Sequence, residues 1–112
     1  MTTSDTPGTT ASARRERIVE VQGISTHLFE AGPATAPALF YLHGTHLGNL
    51  WLEYHNLLAR DFHVFAPDIP GFGLTERPEW MRDMSDYILY FRDLLKTLDI
   101  TQVCLAGHSL GG

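Results

Sequence analysis

The sequence predicts an α/β domain built on a largely parallel sheet, and three observations carry that prediction. Short continuous apolar runs stand at "ALFYL" (Ala38–Leu42), "FHVFA" (Phe62–Ala66) and "VCLA" (Val103–Ala106). Two stretches with helical spacing of apolar residues separate them. Each run leads into a loop rich in glycine and polar residues. Strands that are apolar at successive positions suit a parallel sheet covered on both faces. Alternation of strand and helix implies crossover connections. In such sheets ligands bind beyond the carboxyl ends of the strands, so the loops after Leu42, Ala66 and Ala106 are the places to look for chemistry.

Taken in order, Met1 to about Ser12 is polar, with Thr, Ser, Gly and Pro, and reads as a flexible tail. The domain is expected to occupy residues 13–112. "RIVEVQ" and "ISTHLFE" are β-rich runs that meet at Gln22–Gly23, an antiparallel hairpin at the start of the sheet. "AGPATAP" is a connection. The first helix is expected over about Leu50–Arg60, with Trp51, Tyr54, Leu57 and Leu58 on one face. The second is expected over about Met84–Leu98, burying Tyr87, Ile88, Phe91, Leu94, Leu95 and Leu98. Asp83, followed three residues later by Asp86, resembles a helix-start signal. Leucines and aromatics on that helix are read as core packing, with no cofactor role.

Bulk properties narrow the function. A chain of 112 residues holds one small domain. A net charge of −5 gives no support to nucleic-acid binding. Arg14, Arg15 and Arg17 are interleaved with Glu16 and Glu20 and read as a solvated strand edge or tail. The single cysteine, Cys104, lies in an apolar run and is expected to be a small core residue. The first dozen residues contain no secretory h-region, and no apolar stretch approaches membrane-spanning length, so a cytoplasmic location is the default expectation. His43 and His46 have no clustered third partner that would make a metal site. His27, His55, His63 and His108 show no pattern that raises them above surface or loop residues.

The last of the three loops is the most specific. "GHSLGG" contains Gly107-His108-Ser109-Leu110-Gly111, a G-x-S-x-G pattern entered directly from an apolar strand. A serine on so sharp a strand-to-helix turn needs small residues two before and two after it. Joined with "HGTH" after the first parallel strand and "DIPGFGLT" after the second, the chain resembles the N-terminal part of an α/β-hydrolase from about Arg17 to Gly112.

The resemblance implies an α/β-hydrolase sheet, antiparallel at its start and then parallel, cut just after the nucleophile elbow. It implies Ser109 as nucleophile and the backbone N–H groups of Thr45 and Leu110 as oxyanion-hole donors. The acid and base of such enzymes follow the serine in the chain, so neither His43 nor Asp68 is their counterpart. His43 would bond to loop backbone. Asp68, Gly71, Gly73 and Thr75 would form a tight turn, with Thr75 where serine is usual. The family's proline in the first loop is replaced here by the His46–Leu47 region. Trp51, Phe72, Leu74 and Trp80 are expected to be packing residues.

The expected parent is a serine hydrolase acting on an ester-like or related bond of a small-molecule substrate, with no metal or organic cofactor. Serine at the nucleophile position sets it apart from relatives in which aspartate attacks carbon, such as haloalkane dehalogenases. The present chain is expected to be an inactive fragment of it. Acyl transfer, cofactor-free perhydrolysis and a non-catalytic binding protein on the same scaffold are the alternatives.

Overall fold

The computed structural model describes residues 14–44 and 50–107. Their elements are β1 (Arg15–Val21), β2 (Ile24–Ala31), β3 (Ala38–Leu42), α1 (Glu53–Leu58), β4 (His63–Pro67), α2 (Met84–Thr97) and β5 (Cys104–Gly107). The strands form one sheet in the order β1-β2-β4-β3-β5. β1 and β2 pair antiparallel, as do β2 and β4. β3 runs parallel to β4 on one side and to β5 on the other. The predicted antiparallel start and parallel continuation are both present.

Local sequence explains the hairpin. Val21 pairs with Ile24, and Gln22 and Gly23 turn the chain with φ of 55° and 80°. Two successive positive φ values match the right-handed twist of the strands they join. At the far end of β2, Gly32 has a φ of 105°, and a Cβ there would lie 2.0 Å from the Phe62 carbonyl oxygen. Only glycine lets β2 leave the sheet beside the chain entering β4.

Both faces of the central strands β2, β3 and β4 are covered. Val21, Ile24, Leu28, Phe40 and Phe65 pack with Met81, Tyr90 and Leu94 on the α2 side. Phe29, Leu39, Tyr41, Val64 and Ala66 pack with Ala59 on the α1 side. Double coverage is why β3 and β4 lack polar alternation.

The helices depart in detail from expectation. On α2, Tyr90 is fully buried, while Ile88 is 61% exposed. The burial stripe runs through Tyr87, Tyr90, Phe91, Leu94, Leu95 and Leu98, the predicted stripe with Tyr90 in place of Ile88. Tyr90 is admitted because its hydroxyl meets Thr26 Oγ1 inside the core. α1 is shorter than predicted, and Tyr54 and Leu57 are exposed. Its inward residue is His55, with Trp51 and the partly buried Leu58 nearby.

Three expectations about polar residues are corrected. His27 and His55 are core residues, 4% and 2% exposed: His27 packs edge-on against Phe29 and meets Asp68, and His55 packs among Tyr41, Trp51 and Tyr54. Arg15 and Arg17 are not simply solvated. Both reach the buried Glu30, at 3.0 and 2.7 Å. Burial opposes ionisation of Glu30, but hydrogen bonds from Arg17 and His63 and the nearby guanidinium charges outweigh it and hold the carboxyl below the usual glutamate range. Cys104 is exposed rather than buried, since β5 has one strand neighbour among the described residues.

Two stability predictions arise here. Asp83 accepts from the Asp86 N–H at 3.2 Å, and Asp86 reaches back to the N–H groups of Asp83 and Arg82, so the predicted helix-start signal is a reciprocal cap. Asp83→Ala is expected to cost about 1 kcal/mol in denaturant unfolding.

His55 takes the Leu52 N–H on Nδ1 at 2.8 Å, and its buried Nε2 has no hydrogen-bond partner among the described residues. Burial lowers its pKa to about 4. Between roughly pH 6.5 and 4 the unfolded chain takes up a proton at this residue that the folded chain refuses, so stability falls as pH falls through that window. The expected loss is about 2–3 kcal/mol, and His55→Phe should flatten that part of a pH–melting profile.

Candidate active site

The register of the parallel strands determines where the three loops begin. Phe40 pairs with Phe65 on one side and with Leu105 on the other. Each strand ends two residues beyond that row, at Leu42, Pro67 and Gly107. The three loops therefore leave the sheet at one level, and Leu42 lies directly beside Gly107. Adjacent strands are about 4.8 Å apart, so the first residues of the first and third loops start as neighbours.

The first loop opens with His43, 3% exposed. Its Nε2 accepts the Ile69 N–H at 2.9 Å. The proton of the neutral ring is therefore on Nδ1, which donates to the Gly44 carbonyl at 2.6 Å. Its ring also meets Phe72 edge-on at 5.6 Å. The expected backbone-bonding role of His43 is met, and the bonds join the first loop to the second.

The second loop is held from within by Asp68, 1% exposed. Asp68 Oδ2 accepts the Leu74 N–H at 2.8 Å and lies 2.9 Å from His27 Nδ1. The Asp68 N–H donates to the His27 carbonyl at 2.9 Å. Thr75, also buried, accepts the His27 N–H on Oγ1 at 2.9 Å. Gly71 donates to the Thr75 carbonyl at 2.9 Å, closing the turn. Gly73 has a φ of 55°, and a Cβ on it would lie 2.3 Å from Asp68 Oδ2. The glycine is thus required by both its backbone angle and the carboxylate beneath it. The tight-turn reading of Asp68, Gly71, Gly73 and Thr75 describes this loop, and a threonine hydroxyl serves the turn as acceptor.

The partner that sequence reasoning missed is His27. Its alternation along β2 puts it on the same face as Phe29, which says nothing about polar neighbours. Only the β2–β4 pairing, Leu28 with Pro67, brings it opposite Asp68. Of the packing residues, Trp51 and Phe72 are partly buried, whereas Leu74 and Trp80 are 61% and 50% exposed. A cavity of 390 Å³ lies beside the hairpin turn, lined by Gly23, Ile24, Ser25, Leu74, Glu76 and Pro78, and includes neither His43 nor Asp68.

Ser109, Thr45 and Leu110 lie outside the described residues, as do His46 and His108. Among the described residues, no three His, Cys, Asp or Glu side chains cluster as a metal site, and no helix is long and apolar enough to cross a membrane.

Residues 39–112 match the sequence profile of the alpha/beta hydrolase family. This chain belongs to the α/β-hydrolase family. It is 40% identical over 81 residues to an uncharacterised protein of Mycobacterium tuberculosis, covering 70% of this chain and 23% of that one. It is 31% identical over 109 residues to the 2-hydroxy-6-oxo-2,4-heptadienoate hydrolase of Pseudomonas putida, covering 93% of this chain and 39% of the enzyme. The crystal structure of carboxylesterase CesB from Bacillus subtilis superposes with a TM-score of 0.79 at 25% identity, over 88% of this chain and 35% of the esterase. The chain thus spans well under half the length of these relatives, and its five strands match the N-terminal part of an α/β-hydrolase sheet.

Proposed function

We propose that this chain is the N-terminal part of a serine hydrolase that cleaves an ester-like or related bond of a small molecule through an acyl-enzyme on Ser109. The observation that carries the reading is the common level of the three loops, with Gly107 paired to Leu42. It starts the serine-bearing loop next to the His43–Gly44 loop.

In the proposed reaction Ser109 Oγ attacks the substrate carbonyl carbon. A histidine further along the full-length chain takes the hydroxyl proton, oriented by an acid of that same region. The carbonyl oxygen gains the negative charge and is met by the N–H groups of Thr45 and Leu110. The leaving group departs with the proton, and water then releases the acyl group.

The His43 bond supports the role of Thr45. The Gly44 carbonyl and the Thr45 N–H belong to one planar peptide unit, so holding the first orients the second. The names of the Pseudomonas putida hydrolase and the Bacillus subtilis carboxylesterase support hydrolysis. A cytoplasmic site of action belongs to the same proposal.

A fluorophosphonate probe on the full-length protein tests the reading. Labelling is expected on Ser109 and is expected to vanish in Ser109→Ala. Folded protein that takes no label would favour a binding protein on a hydrolase scaffold instead. Comparing hydrolysis with transfer to alcohols or peroxide separates hydrolase from acyltransferase and perhydrolase.

A further inference from the structure

Glu16, His27 and Asp68 form a line of titratable groups that the reaction above does not use. His27 Nδ1 is 2.9 Å from Asp68 Oδ2, and its Nε2 is 2.9 Å from Glu16 Oε1. The two ends differ. The Asp68 side chain is 2% exposed and the Glu16 side chain 56%.

We propose that His27 is a positioning residue of the hydrolase site, holding the second loop through Asp68 so that Ile69 keeps His43, and His43 keeps the Gly44–Thr45 peptide, in place. The inference rests on the reading of Ser109 and Thr45 given above.

The path is continuous. His27 Nδ1 meets Asp68, the next backbone N–H (Ile69) donates to His43 Nε2, and His43 Nδ1–H donates to the Gly44 carbonyl. A neutral imidazole carries a single N–H. Placed on Nδ1, it serves the carboxylate that is shut away from solvent, where an unmet partner is costly. The exposed Glu16 can turn to water. A ring protonated on both nitrogens donates to both carboxylates. The Asp68 contact is made in either charge state, so it carries the positioning and the Glu16 contact is dispensable.

Side-chain length separates the two contacts. An asparagine amide places its nitrogen near the position of Nδ1, and a glutamine amide near that of Nε2. His27→Asn should keep the Asp68 bond, and His27→Gln should lose it.

The experiment uses the full-length protein and reads four quantities: the fluorophosphonate labelling rate of Ser109, kcat and KM for p-nitrophenyl acetate, the thermal midpoint, and the ring ¹⁵N shifts of His43. His27→Gln is expected to lower the labelling rate and kcat by about tenfold or more, with KM within about twofold and His43 shifts displaced. His27→Asn and Glu16→Gln are expected to stay within about threefold of wild type.

A drop of tenfold or more in His27→Asn overturns the proposal, as does wild-type labelling in His27→Gln. So does a loss that follows the thermal midpoint equally in both variants, which would make His27 structural only. A wild-type protein that takes no label defeats the serine reading instead. The His43 shifts then decide the coupling by themselves, and identical shifts in His27→Gln and wild type would overturn it.

Discussion

Ser109→Ala in the full-length protein is expected to lower turnover by on the order of 10⁶-fold while leaving the thermal midpoint within about two degrees. The physical reason is that the serine supplies the one atom that forms a bond to the substrate. Without it, the oxyanion donors and the binding surface keep only the small part of catalysis that comes from holding substrate near water. Steady-state hydrolysis of p-nitrophenyl acetate, alongside a melting curve, checks both halves. Turnover within tenfold of wild type would remove Ser109 from the mechanism and leave the α/β-hydrolase fold intact as a finding.

Asp68→Ala is expected to destabilise the domain by about 3–5 kcal/mol, measured by urea unfolding. The carboxylate is buried, and one of its oxygens faces both the Leu74 N–H and His27 Nδ1. Alanine leaves those buried groups without the acceptor around which the loop is folded. Domains of this size are stable by only about 5–15 kcal/mol, so the loss removes much of the total. Asp68→Asn keeps the shape and an acceptor oxygen, and its cost should be about half as large. Equal stability of Asp68→Ala and wild type would show that water replaces the carboxylate, contrary to its burial.

Much of this was legible in the chain itself. "ALFYL" has no polar position, and a strand covered by α1 on one face and α2 on the other needs none. Gln22–Gly23 announced the hairpin because few residue pairs tolerate two positive φ angles in succession. Asp83 and Asp86 announced the start of α2 because the unsatisfied N–H groups there need acceptors at that spacing. Periodicity erred where polar side chains entered the core. Tyr90 and His55 displaced Ile88, Tyr54 and Leu57 from the predicted faces because Thr26 and the Leu52 N–H receive them.

The amino-acid sequence determined by itself the order of strands and helices, the three glycine-bearing loops and the serine in the last of them. Those features depend on neighbours a few residues away, through backbone angles, capping and the apolar period. The tertiary structure alone decided that His27 meets Asp68, 41 residues on, and that Ile69 meets His43, 26 residues back. It also decided that Arg15, Arg17 and His63 converge on Glu30. Contacts of that kind are made by strand register, and register is settled only when the whole sheet buries its two faces together.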